Sequence, residues 1–508
     1  MRVTNNMITS NTKSNMNANK VLVNKYNMQM TTQKKIERPS EDPVIAIRSL
    51  RLQTTMSHIN QYLDNNIANV DAWLKLTDTA LGNINKVLTD ARSLCNQGAT
   101  DTLTAEDRQT ILKQLRELGD QIYSEGNADN AGRTVFTGYR TTEQLTFKED
   151  EQETRYEIDQ TLSYDNMMEA RYYYGETQVP TDGTQPCDTK MVELTYNRLR
   201  LAYGDVDSLD KVTINRTGAG TQDMSVTTYE TREAWYEATK DSATDASGNP
   251  TGDSPMSVAD NEIIFIKHTG ELILGKDIAH EIEAGKAEIA VTYTKTGFDR
   301  GEARPEYYYD CRKHTPEMAE DESLTFTKEN QEIEFEISSG IMITANTQAS
   351  DVLDTSIGRD LADMIDIVSV AIAAHEKVDK IKLMKSRAEF ADDTSQANLQ
   401  TYLDAAKNDA VYADNNLKKT FQHYLTSFEN YLDKVDVAHS TVGSVQQRLE
   451  LTKVRVENQK TTTEELKTNT ENRDISDIII DYYAAYNAYT ASLMSASKVQ
   501  QQTLLSYL

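Results

Sequence analysis

Helix breakers are confined to the middle of this chain, and that placement constrains its fold more than any other feature. Among 508 residues there are 21 glycines and 8 prolines. No glycine precedes Gly82, no proline lies between Pro43 and Pro180 or after Pro316, and beyond Gly358 only Gly443 remains. Inside a helix, glycine costs ~1 kcal/mol and proline ~3. Both ends are therefore free to run as helices much longer than the usual three turns, whereas the central stretch must turn often.

The apolar residues of the two ends fall on long seams. After Arg38-Pro39-Ser40-Glu41-Asp42-Pro43, Asp42 is placed to cap a helix whose first position is Pro43. From there a 3–4 spacing runs through Leu52, Met56, Ile59, Leu63, Ile67, Val70, Leu74, Thr77, Leu81, Ile84, Leu88, Ala91 and Cys95. The extra four-residue step from Leu63 to Ile67 is a stutter, which locally unwinds a supercoil. A second helix is expected after Thr104, which opens a Thr-x-x-Asp capping box ahead of Ile111, Leu115, Leu118 and Ile122. Toward the other end, Ile357, Leu361, Met364, Val368, Ala371, His375 and Val378 mark one helix, and a seam from Leu399 through Phe421, Val435 and Leu449 to Leu466 marks a far longer one. Rods of this length exceed any single globular core and need partner helices along their whole length.

The middle reads as strands. Glu288–Thr294 and Glu332–Ile337 approximate period-two alternation, and Ile263–Ile266 suits a short buried strand. A turn is expected at Ala246–Gly252. Charge gathers in the same region: residues 141–345 hold 42 acidic and 19 basic side chains, most of the total net charge of -27. A general nucleic-acid binder needs a basic surface, so that class is excluded. Residues 1–38 are the exception, with seven basic residues against Glu37. They suit a phosphate-binding arm, a solvated helix face or an export-related segment. The fold class is thus mainly α with an inserted β-rich domain, its two arms forming long antiparallel helical rods of coiled-coil type.

Three domains are expected: residues 1–38 with 473–508 as a terminal helical domain, 39–140 with 346–472 as the rod, and 141–345 as an acidic, β-rich insertion. The terminal domain is the candidate assembly interface. Its Asn- and Ser-rich first segment carries apolar residues at Val3, Met7, Val21 and Met28 among others, and is marginal as an isolated helix. Its natural partner is the Tyr- and Ala-rich tail, with Ile475, Tyr482 and Tyr489 leading to Leu504, Leu505 and Leu508. A sticky terminus points to burial in an assembly, with disorder expected in the free monomer.

Catalytic and metal chemistry finds little support. Cys311 and His314 form one Cys-x-x-His pair without a second pair at zinc spacing, and are expected on a loop. Gly218-Ala219-Gly220 lacks the rest of a phosphate loop and reads as a turn. His375 reads as an interface histidine, and Cys95 as a small buried hydrophobe. No enzyme, cofactor or metal is expected. No apolar run reaches the ~20 residues of a membrane span, and there is no ordinary signal peptide, so any passage out of the cell takes another route.

Three motifs and the ending resemble the bacterial flagellin superfamily. The opening Met1–Met7 is similar to the family's start. Gln29–Pro43, containing Pro39, Ser40, Asp42 and Pro43, is similar to its Pro-Ser-Asp-Asp-Pro signature, with Gln33 where the family usually has glycine and Glu41 in place of the first aspartate. Gly132-Arg133-Thr134-Val135-Phe136-Thr137-Gly138-Tyr139 is similar to its Gly-Arg-x-x-Phe-x-Gly-Tyr turn and strand. The ending Leu504–Leu508 resembles the junction-protein branch, which joins hook to filament, more than a filament subunit. The resemblance implies a flagellin-like nested layout and secretion by flagellar type III export with a chaperone on the C-terminal segment. It also implies a place on the flagellum among other copies of the chain, hook-associated protein 1 and flagellin. A filament subunit is the alternative, and an extracellular adhesin using the insertion is a third reading.

Overall fold

The structure is a computed structural model that describes residues 5–100, 103–187, 189–218, 220–240, 255–317 and 322–501. Val3, Ala219, the expected turn at residues 246–252, Leu504, Leu505 and Leu508 lie outside the described residues.

The chain opens with helix α1 (Asn5–Thr32), followed by α2 (Pro43–Asn60). Asp42 caps α2 as expected, accepting hydrogen bonds from the Val44 and Ile45 amides at 3.0 and 3.1 Å. Helix α2 continues without a break into a π-helical stretch, Gln61–Ile67, and then α3 (Ala68–Gly98). The π stretch spans the Leu63–Ile67 step. A π-helix takes more residues per turn than an α-helix, so it absorbs the extra residue and keeps the seam on one side. From Val70 to Cys95 every predicted seam residue is buried. Helix α4 (Ala105–Gly126) starts with the Thr104–Asp107 capping box and buries Ile111, Leu115 and Ile122.

Strands fill the middle. A hairpin of β1 (Asp129–Asn130) and β2 (Arg133–Thr134) comes first. It is followed by β3 (Glu151–Leu162), β4 (Met167–Tyr174), β5 (Val192–Arg200), β6 (Ser208–Arg216), β7 (Gly220–Asp223) and β8 (Val226–Tyr229). After helix α5 (Arg232–Thr239) come β9 (Ile263–Ile266), β10 (Glu271–Leu274), α6 (Lys276–Glu283) and β11 (Ala287–Phe298). Then follow β12 (Asp310–His314), β13 (Leu324–Phe326), β14 (Glu334–Ser338), β15 (Ile341–Thr344) and the single turn α7 (Ala349–Val352). One sheet has the order β4-β5-β10-β9-β8, and a second has the order β13-β12-β3-β11-β6-β7. The expected strands at 263–266, 288–294 and 332–337 correspond to β9, β11 and β14.

The chain ends with α8 (Ser356–Lys385), α9 (Asp393–Glu471) and α10 (Ile475–Gln501). The 79 residues of α9 make a rod of about 120 Å. Its seam is buried at Leu399, Leu403, Leu417, Phe421, Tyr424, Phe428, Val435, Leu449 and Val456, whereas Leu466 is exposed. Two compact units are present: residues 1–71, 334–343 and 446–508 form one, and 72–333 with 344–445 form the other. In the second unit α3 and α9 run antiparallel, with Arg92 to Glu429 at 2.6 Å, Asn85 to Asp436 at 2.6 Å and Asp78 to His439 at 2.9 Å.

One expectation is corrected. Cys311 and His314 sit on strand β12, not on a loop. Cys311 is buried against the sheet core, and alternation along a strand sends residues three apart to opposite faces, so the pair does not converge on a common ligand. Gly218 and Gly220 lie at the β6–β7 turn, both with φ near +83° (83° and 84°).

Candidate functional site

In the first unit, α1 and α10 lie side by side and antiparallel. The Asn19 side chain donates to the Ala488 carbonyl at 3.3 Å, and Lys34 and Asn472 form an antiparallel bridge. Few side chains are covered by this pairing. Gln29, Ile478 and Ala485 are buried. Met7, Val21 and Met28 on α1 are 56%, 65% and 42% exposed, and Ile475 on α10 is 45% exposed. Tyr482 and Tyr489 are half-buried, and Tyr482 stacks on Tyr486 with ring centroids 6.1 Å apart. Ile8, Leu22, Ile480, Tyr483 and Met494 are also exposed. Two helices hide only one stripe each, so a pair with apolar residues on more than one side remains unsatisfied.

An elbow joins this pair to the rod. The Lys35 amide donates to the Glu471 carbonyl at 2.7 Å, and the Arg473 amide to the Gln33 carbonyl at 3.0 Å. Arg473 Nη1 donates to Gln29 Oε1 at 3.0 Å, its guanidinium lies over the Tyr26 ring at 5.6 Å, and it pairs with Asp481. Gln29 Nε2 in turn reaches the Lys35 carbonyl at 2.6 Å. Glu471 accepts from Lys34 Nζ at 2.8 Å and Ser49 Oγ at 2.6 Å. Burial opposes its ionisation, but these two partners outweigh it and hold the carboxyl below its usual range. Gln33 closes α1 with φ at 58°, in the left-handed region where glycine is the natural residue. Pro39, Ser40 and Pro43 are exposed beside it, and Glu41 accepts from the Glu37 amide at 3.2 Å.

The second motif lies in the other unit. Ala131 and Gly132 both have positive φ, 53° and 81°, as the tight β1–β2 turn requires. Phe136 is buried and its carbonyl accepts from the Ala349 amide at 2.9 Å, whereas Arg133 is exposed. Gly138, at φ 60°, leaves no room for a Cβ because the Gln331 side chain fills that space and accepts from the Tyr139 amide at 2.8 Å. Tyr139 is 63% exposed, with its hydroxyl donating to the Glu332 carbonyl at 3.1 Å.

His375 hydrogen-bonds Asp414 at 2.9 Å, and Arg108 forms an ion pair with the same carboxylate at 2.7 Å, all three on helices. Cys95 is buried and its thiol is pushed up to about 12, chiefly by burial. Sequence reasoning missed a buried charge cluster on β5, β10 and α8. Its signal was present in Arg198-Leu199-Arg200, charges alternating within a strand, and in Asp360 and Asp363 beside the seam residues Leu361 and Met364.

Residues 3–141 match the family described as the bacterial flagellin N-terminal helical region. Among curated relatives, flagellar hook-associated protein 3 of Escherichia coli K12 is 29% identical over 120 residues, 23% of this chain and 37% of that protein. Its namesake in Salmonella typhimurium is 26% identical over 144 residues, 28% of this chain and 44% of that protein. The chain thus spans less than half the length of these curated relatives. Of solved structures, the flagellar hook associated protein-3 from Legionella pneumophila is 11% identical, with 82% of this chain and 97% of that one covered and a TM-score of 0.29. A flagellar junction protein from the same organism is 10% identical, with 79% and 99% covered and a TM-score of 0.26. Scores of this size do not define a common arrangement.

Proposed function

We propose that this chain is a structural subunit of the hook–filament junction of a bacterial flagellum, acting through coupled folding and assembly. The observation that carries the reading is the terminal pair, α1 with α10, whose apolar residues stay exposed along both helices; Val21 at 65% and Ile480 at 66% are the extremes. Such a pair gains most of its stability only when neighbouring subunits supply the missing faces. In the free monomer the α1–α10 pair is therefore only marginally stable, and its ordering entropy is lost at the moment of joining. Curated relatives that bear the name of a hook-associated protein point to the same role.

In this reading the partners are other copies of the chain, hook-associated protein 1 on the hook side, flagellin on the filament side, and an export chaperone on the C-terminal segment. The three-layer division follows: residues 1–38 with 473–508 inside, the rod around them, and the acidic insertion 141–345 facing out. The chain is secreted unfolded by the flagellar export route, and its role is mechanical, with no catalysis. Electron microscopy of the purified chain under filament-forming conditions tests this against the filament-subunit alternative. The junction reading expects no long homopolymers; filaments seeded and extended by this chain alone would overturn it.

A further inference from the structure

In the second unit, Arg198 and Arg200 stand two apart on β5, so their side chains leave the same face of the five-stranded sheet. Arg198 forms ion pairs with Glu271 of the neighbouring strand β10 and with Asp363 of α8. Arg200 pairs with Asp360 of α8 and lies 3.4 Å from Asp363. Arg232 of α5 reaches Glu271 at 2.7 Å. From α9, Tyr424 donates to Asp363 at 2.5 Å and Tyr431 to Asp360 at 2.8 Å. From β4, Tyr172 donates to Glu271 at 3.3 Å. Arg359 lies alongside and donates to the Thr269 carbonyl. The Arg198 and Glu271 side chains are 4% and 1% exposed, so these charges have left water.

Counting Arg359, four guanidinium groups face three carboxylates here. A buried, mutually paired charge cluster adds little net stability, because desolvation offsets the attraction, but removing one partner strands a charge and is strongly unfavourable. A second set of contacts serves the same two helices. The connection between β4 and β5 is pinned to α8 by Glu176 with Lys377 at 2.7 Å. It is pinned to α9 by the Thr177 amide on Asp409 at 2.7 Å, the Cys187 amide on Thr401 at 3.0 Å and Asn398 on the Gly183 carbonyl at 2.9 Å.

We propose that this cluster is a registration lock that makes the five-stranded sheet and helices α8 and α9 open as one cooperative body, so that the insertion is rigidly continuous with the helices and not tethered to them. Any partial opening that lifts the sheet off the helices exposes Asp360, Asp363 and Arg200 to a half-dry interface without partners. Such intermediates are penalised relative to full closure or full opening. The inference stands whether or not the chain sits at a flagellar junction.

Native-state hydrogen exchange on the full-length chain across a denaturant series tests it. Amides of β5, β9 and β10 are expected to merge with those of α8 into one opening isotherm. In Arg198→Met/Arg200→Met the sheet amides are expected to separate and exchange at least ~100-fold faster than in the wild type. Arg171→Ala, which removes the partly exposed pair with Glu193 on the same sheet, is expected to leave the shared isotherm intact. Separate isotherms for sheet and α8 in the wild type would overturn the proposal, and so would a double variant that keeps a single isotherm. If the double variant fails to fold, the wild-type series alone decides.

Discussion

The seam between α3 and α9 makes a sharp prediction at Gly98. This residue ends α3, and the ring of Phe421 from α9 occupies the space where a side chain would be: a Cβ built at position 98 comes within 2.8 Å of the Phe421 Cγ and closer still to two other ring carbons. Phe421 is fully buried, so the ring has no free volume to move into. Gly98→Ala is therefore expected to destabilise by about 1–3 kcal/mol, the range for overpacking a close-packed core. A helix-propensity gain of at most ~1 kcal/mol opposes this and is diminished at a helix end. Phe421→Leu alone removes ring atoms and leaves a void, with a cost of about 1–2 kcal/mol by comparison with other large-to-small core changes. In the double variant the new methyl group occupies part of that void, so the two effects must not add. The coupling is expected to be about 1 kcal/mol or more in the stabilising direction. Urea unfolding of the full chain followed by helical circular dichroism gives the four midpoints of the cycle. Additive effects, or a neutral Gly98→Ala, would refute the knob-and-hole packing inferred for this level of the rod.

Other consequences are as open to measurement. Gln33→Gly relieves a left-handed residue whose side chain is exposed; it should stabilise the elbow by about 1 kcal/mol, seen as greater amide protection at Lys35 and Arg473 in the assembled state. Burial opposes the ionisation of Glu271, but Arg232 and Arg198 hold its carboxyl down at about 2, well below the usual carboxylate range. A depressed carboxyl contributes stability that is complete above pH ~4.5 and lost as pH falls through ~2, so Glu271→Gln should flatten the acid limb of a denaturation curve in that window. Asp360 is raised, mainly by burial despite Arg200, and contributes in the opposite direction. Burial pushes both Cys95 and Cys311 up to about 12, whereas Cys187 is partly exposed. Maleimide at pH 8 should label Cys187 alone in the native chain and all three cysteines after denaturation.

How much of this was legible in the sequence depends on the range of the interaction. The seams were legible because a helix repeats its contacts every three or four residues; the Leu63–Ile67 stutter was visible too, but that it takes the form of a π-helix was not. Asp42 and Thr104 declared their caps because capping is local. Strand β9 was readable from four consecutive apolar residues, but β12 was not: Asp-Cys-Arg-Lys-His holds one buried apolar side chain among polar ones, and its pairing with β3 decides its conformation. The charge cluster was hidden for a related reason. Arg198, Glu271 and Asp363 are separated by 73 and 92 positions and meet only through sheet order and helix packing. Within the candidate assembly surface, composition alone marked α1 and α10 as partners. The elbow's hydrogen bonds came from backbone atoms that no sequence pattern displays.

The central claim is a place on the flagellum, and immunogold labelling of intact flagella with antibody to this chain tests it most directly. The account predicts gold confined to a single spot at the boundary between hook and filament. Gold distributed along the filament, or absent from flagella altogether, would contradict it.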